Sequence, residues 1–316
     1  MKHKIIALLS LPIIALLSGC GGGSSFTYSN LTVSFSEGQD IPSKVSLSDS
    51  LAVEASYTWE DGNPNIVGNK ERIESVGNAN FNDETTVSAT FNASNNYVTA
   101  GFSNEDTTLT FDSNDDYGEF ALDSDYLAVV KDNGQDYMVL ANPYKLDFDY
   151  QTYGTWATGA GTGRGEVGAL TGGFRTLVAD IPTQGIAVYN GETGGRFVED
   201  LLTSGDYGWT QSDFTATADF ANREISVATA NTTTYDNNGN TELNVIDFDI
   251  NGTLNYNAGF NGFQGVVTNG ANLSGTMTGQ FYGPSAEEMG GVFALSDPNG
   301  NGSIAAYMGG FGAKRQ

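Results

Sequence analysis

The chain has 316 residues, enough for one large domain or two modest ones with real cores. Its 38 acidic residues against 13 basic ones give a net charge of −25 at pH 7, which opposes binding to phosphate backbones and argues against a nucleic-acid partner. One cysteine, Cys20, rules out a disulfide within the chain, and one histidine, His3, removes most histidine chemistry.

At the N-terminus, Lys2 and Lys4 precede an apolar stretch from Ile5 to Leu17 that only Ser10 and Pro12 interrupt. A positive start, a short apolar run and small residues at the end are the layout of a secretory signal. The run is too short to cross a bilayer as a stable helix, which needs about 20 apolar residues. The closing Leu17-Ser18-Gly19-Cys20 resembles the lipobox of bacterial lipoproteins, in which the thiol is diacylated and cleavage leaves the cysteine first. The alternative is an ordinary signal with an incidental cysteine. Residues 1–19 then form the signal. Residues 20–25, Cys20 followed by Gly21-Gly22-Gly23-Ser24-Ser25, form a flexible tether. Gly21 stands where an aspartate would mark retention in the inner membrane, so resemblance to known sorting rules implies the outer membrane.

Removing residues 1–19 takes Lys2, Lys4 and His3 and leaves 11 basic against 38 acidic residues, a net charge of −27. Such a chain does not lie flat on anionic lipid, so the acyl chains on Cys20 are the expected membrane attachment. Without histidine it cannot run a Ser-His-Asp mechanism, form an HExxH zinc site or ligate haem through histidine. Paired carboxylates could still serve a hydrolase, but no pair stands out among the 38 acids. The expectation is a non-enzyme without a cofactor, whose acidity serves solubility rather than cation binding.

The mature sequence reads as β nearly throughout. Segments 26–35, 45–59 and 86–91 alternate apolar residues with Thr and Ser, as half-buried strands do. Asn-Gly or Asp-Gly pairs, which favour tight hairpin turns, begin at 61, 133, 190, 238, 251, 261, 269, 299 and 301. The cleanest hairpin joins the strand starting at Tyr126 to the one starting at Tyr137. No mature segment keeps a helical apolar stripe for three turns. Many short strands with dense turn signals indicate a sandwich or barrel. Gly163-Arg-Gly165-Glu-Val-Gly168 fits a dinucleotide fingerprint, but no helix pattern follows it. Asp112 to Asp116 has calcium-loop spacing, but Tyr117 replaces the required glycine and Asp123 the bidentate Glu. Asp236 to Asn240 likewise reads as a solvated loop.

The second half carries a family resemblance. Its residues are Tyr153-Gly-Thr-Trp156, Ile181-Pro-Thr-Gln-Gly-Ile-Ala-Val-Tyr-Asn-Gly191, Asp219-Phe220, and the run from Gly275 through Gly283-Pro284-Ser285 to Phe293, with a close on Gly310 to Arg315. Residues 148–316 resemble the eight-stranded antiparallel β-barrel of transferrin-binding protein B and its wider class of surface lipoproteins, which includes haemophilin-type haem binders and factor H-binding protein. The resemblance implies an all-β chain: a β-rich, handle-like N-terminal domain over 26–147, then the barrel. It also implies an outer-membrane, cell-surface lipoprotein that captures a host protein, a haem or metal complex, or a small solute. Pro284 should break the strand after Tyr282 because it cannot donate to a ladder. Ser285 could cap one helical turn over Ala286-Glu287-Glu288. Phe281 and Phe293 should fill the barrel, and Glu287-Glu288 reads as a structural corner, not a catalytic pair.

Three function classes fit these residues: a non-catalytic binding lipoprotein, a structural or immune-shielding coat lipoprotein, and a carboxylate-based hydrolase. The first fits best. A filled small barrel leaves recognition to its loops. Gly205-Asp-Tyr-Gly-Trp209 is the leading candidate loop, with Tyr207 and Trp209 as ligand-binding residues, since Tyr and Trp dominate binding hot spots. The alternative is that Trp209 starts a strand and packs into the core.

Overall fold

A computed structural model describes the strands between residues 45 and 103 and the chain from 108 to 316, apart from the connections at 113–115, 121–124, 132–133, 144–145, 160–163, 200–206, 237–240 and 298–303. The strands are β1 (Val45–Leu47), β2 (Leu51–Glu60), β3 (Lys70–Val76), β4 (Thr86–Asn92), β5 (Tyr97–Ser103), β6 (Thr108–Phe111), β7 (Asp116–Phe120), β8 (Tyr126–Val130), β9 (Tyr137–Ala141) and β10 (Gln151–Ala157). They continue as β11 (Arg164–Gly173), β12 (Ile186–Glu199), β13 (Tyr207–Asp219), β14 (Glu224–Asp236), β15 (Thr241–Glu242), β16 (Ile250–Tyr256), β17 (Phe263–Asn269), β18 (Ser274–Tyr282), β19 (Glu288–Ser296) and β20 (Ile304–Arg315). The helical elements among the described residues are two 3-10 turns, Val178–Asp180 and Ile246–Phe248.

Eight strands close a barrel in the order β12-β13-β14-β16-β17-β18-β19-β20. The last returns to the first through antiparallel pairs such as Tyr189 with Arg315 and Phe197 with Tyr307. Alternation along each strand sorts the residues between inside and outside. On β13, Phe214, Ala216 and Ala218 are buried while Asp213, Thr215 and Thr217 face water. On β16 and β17, Leu254, Tyr256, Phe263 and Val267 point inward and Thr253, Asn255, Gln264 and Thr268 outward. This is the reverse of a membrane-spanning barrel, which carries an apolar band outside and a polar lumen. Aromatic rings fill the interior: Phe214 stacks on Phe311 at 4.6 Å, Phe293 meets Tyr307 at 4.9 Å and Phe263 meets Phe281 at 5.2 Å. The expected closed, filled, eight-stranded barrel is present.

The N-terminal part forms a four-stranded sheet, β1-β4-β5-β6, and a seven-stranded sheet, β3-β2-β11-β10-β9-β8-β7. Strands β10 and β11 therefore pair with β9 and β2 and not with the barrel, although the sequence reading groups them with it. The expected strands at 45–59 and 86–91 appear as β1 with β2 and as β4, whereas 26–35 lies outside the described residues. The β8–β9 hairpin forms as expected, closed by Lys131 N–H to the Asp136 carbonyl at 2.9 Å, with Gly134 at φ 68°.

Two expectations are corrected. Asn190-Gly191 and Asn251-Gly252 lie inside β12 and β16, not at turns. A Cβ there would strike the carbonyl oxygen of Gly312 or Val266, so these glycines serve strand-to-strand approach. The residues after Pro284 form a tight turn rather than a helical one, because Ala286 takes φ 61°, outside the right-handed helical region. The strand does end at Tyr282, and Phe281 and Phe293 are buried in the barrel core.

Candidate functional site

The two sequence-predicted binding residues sit side by side. Tyr207 and Trp209 open β13, on the outward side of the barrel wall, their ring centroids 5.5 Å apart. They do not lie on an exposed loop: Tyr207 is 1% and Trp209 5% exposed. The physical reason is that the seven-stranded sheet covers this part of the barrel's outer surface. Tyr126, Val139, Tyr153 and Val167 of that sheet share one apolar cluster with Tyr207, Trp209, Val292 and Met308 of the barrel. Cys20 lies outside the described residues.

Between the rings and the sheet lies Arg196, the cross-strand partner of Trp209. Its guanidinium carbon is 4.5 Å from the Tyr207 ring centroid and 5.7 Å from that of Trp209, and it donates to the Tyr137 hydroxyl. A buried arginine fits here because its flat, weakly hydrated guanidinium stacks on aromatic faces. The alternation in the sequence places Arg196 on the outer face. It does not reveal that a second sheet covers that face, so Arg196 escaped the sequence reading.

Beside this cluster a small cleft of about 20 Å³ lies between sheet and barrel. Tyr126, Val139 and Gly154 line one wall, and Gly194, Trp209 and Tyr235 line the other. At the rim, Gln211 Nε2 donates to Glu192 Oε2 at 3.0 Å and to Asp125 Oδ2 at 3.5 Å. Deeper, the Tyr126 and Tyr153 hydroxyls share a 2.9 Å hydrogen bond, and burial pushes both phenols well above their usual range. Both therefore stay protonated at neutral pH and act as hydrogen-bonding groups, not bases.

A second junction is built by the corner the sequence singled out. Glu288, at the start of β19, is fully buried. Its carboxyl accepts from the backbone N–H of Asp149 at 2.6 Å and of Tyr150 at 3.1 Å, the residues just before β10. Gln151 Nε2 donates to the Met289 carbonyl at 2.7 Å. A Cβ on Gly290 would meet the Gln151 amide, which would have to shift from this position. Lys314 reaches across to Asp147 Oδ2 at 3.0 Å and Asp149 Oδ2 at 2.9 Å. Glu288 is thus a contact between sheet and barrel, which agrees with reading the Glu pair as a corner. Among the described residues, no group of three or more His, Cys, Asp or Glu side chains is placed to hold a metal ion.

Residues 181–315 match the family described as the C-lobe and N-lobe beta barrels of Tf-binding protein B. No curated protein matches the chain. Among solved structures, a mutant transferrin-binding protein B from Haemophilus parasuis Hp5 is 15% identical with a TM-score of 0.40, over 85% of this chain and 76% of that one. Transferrin-binding protein B from serogroup B Neisseria meningitidis is 14% identical with a TM-score of 0.39, over 87% and 78%. A surface lipoprotein is 16% identical with a TM-score of 0.40, over 85% and 99%. These superpositions are loose; the family match spans the strands from β12 to β20 that close the barrel.

Proposed function

We propose, from the match of residues 181–315 to the β-barrels of transferrin-binding protein B, that the chain is an outer-membrane surface lipoprotein, anchored through Cys20, that captures a protein ligand without catalysing a reaction. The observation that carries this reading is the filled barrel. Stacked aromatic rings occupy the interior from Phe263 and Phe281 at one end to Phe293 and Tyr307 further along. A haem or similar solute would need an enclosed pocket of about 300 Å³ or more. The cleft beside Trp209 encloses about 20 Å³, room for roughly one water. Recognition then falls to outer surfaces and loops, which suit a macromolecule. The matching family is described as barrels of Tf-binding protein B, so a transferrin is the first ligand to try.

The β14–β16 connection is a good candidate contact. Leu243 is 65% and Ile246 71% exposed, a pair of large apolar side chains three residues apart at the barrel rim. Neighbouring exposed apolar side chains can mark an interaction site. The domain reading that goes with this function places the junction between the sheet part and the barrel in the segment 174–185, after β11 and before β12.

Surface plasmon resonance of the mature lipidated chain in micelles, against iron-loaded host transferrins, is the test, with a haem titration in parallel. Saturable protein binding with no shift of the haem spectrum is expected. A saturable haem shift without protein binding would overturn the protein-capture reading. Binding of neither, with the anchor intact, would favour the structural or immune-shielding coat lipoprotein.

A further inference from the structure

We propose that the buried carboxyl of Glu288, seated on the backbone amides of Asp149 and Tyr150, is a proton-sensitive latch that joins the seven-stranded sheet to the barrel. The chain enters β10 directly after these two amides, so the carboxyl fixes the point where the sheet meets the barrel corner. The same corner is held by Gln151 on Met289, by the isolated bridge between Arg175 and Tyr282, and by Thr176 N–H to the Phe281 carbonyl at 2.9 Å. All of these are backbone or amide contacts that do not titrate. Glu288 adds a buried carboxyl whose charge can change, beside the Lys314 pairs with Asp147 and Asp149.

The groups that face it are few. Asp147, Asp149 and Tyr150 lie on the connection before β10, and Lys314 and Arg315 end β20, where Lys314 pairs with Glu288. Tyr282 lies across from it on β18, and Glu287 precedes it. Burial pushes the Glu288 carboxyl up to about 8; the two amide N–H groups and Lys314 pull it down, and the Asp149 charge adds to the rise. In an opened junction the carboxyl is in water and ionises near the ordinary glutamate value of about 4.3. Opening therefore releases a proton throughout the window between these values. The latch is fully closed below that window, weakens as pH rises through it, and weakens no further above about pH 8. Mildly acidic surroundings would hold sheet and barrel together, and mildly alkaline ones would loosen them.

Hydrogen exchange of the Asp149 and Tyr150 amides in the mature chain, with intrinsic rates divided out, reads the opening directly. Between about pH 6 and 8 the opening constant should rise at least about tenfold, since a single released proton gives at most about tenfold per pH unit. Glu288→Gln keeps a carbonyl acceptor but cannot ionise, so its opening constant should stay within about twofold over the same range. Asp149→Asn removes the charge that adds to the rise caused by burial, so the levelling-off should move to lower pH. A flat wild-type profile would overturn the proposal, as would a Glu288→Gln profile as steep as the wild type. If Glu288→Gln does not fold, the Asp149→Asn profile decides: an unmoved plateau would also overturn it.

Discussion

Trp209 is a residue whose chemistry was legible and whose setting was not. Its size and its place beside Tyr207 mark it as important from sequence, but the same alternation suits a binding rim or a covered wall. The covering sheet settles the matter: Trp209 packs against Tyr207 and beside the Arg196 guanidinium. Trp209→Ala should then cost about 3–5 kcal/mol, the range for truncating a large buried aromatic, and lower the melting temperature by many degrees in calorimetry. A variant that melts like the wild type would contradict its place in the core. Leu243 and Ile246 make the opposite case. Leu243→Ser with Ile246→Ser should leave melting nearly unchanged, because both side chains already face water. Surface plasmon resonance should show ligand capture weakened about tenfold or more if that rim carries a hot spot.

At the level of elements, short-range turn chemistry was the most readable signal. The Lys131–Asp136 hairpin needs a residue at positive φ, and Gly134 supplies it at 68°. Gly134→Ala should cost about 1–2 kcal/mol, the penalty for an L side chain in that region, and urea unfolding would measure it. The same dipeptide misleads at Asn190-Gly191 and Asn251-Gly252. There the glycine is required by a neighbouring strand's carbonyl, a contact far away in sequence. The corner after Pro284 shows a similar limit. The stop at Tyr282 follows from proline's missing donor, but the left-handed Ala286 depends on its place under the barrel, where its carbonyl accepts the Tyr189 hydroxyl at 2.7 Å.

For the whole molecule, attachment is the prediction that the sequence alone supports. Cys20→Ser should abolish acylation and move the protein from the membrane fraction to the soluble fraction on cell fractionation, with export unchanged. Retention in the membrane would mean that something other than lipid holds it. The sequence by itself determined the all-β class and, through a family resemblance, the eight-stranded barrel at the C-terminal end; an export signal and a histidine-free mature chain are what it leads one to expect. The class follows from local chemistry, period-two alternation and turn residues, and the expected signal from apolar run length; the strand count came from the resemblance carried by the glycine-rich corner motif. Tertiary structure alone decided that β10 and β11 join β2 and β9 rather than the barrel, and that the sheet buries Tyr207, Trp209 and Arg196. It alone also decided that Glu288 closes on the amides of Asp149 and Tyr150, about 140 residues earlier in the chain. Alternation tells which side of a strand a residue takes. Which of two outer faces is then covered depends on pairings between distant segments, and no local pattern encodes them.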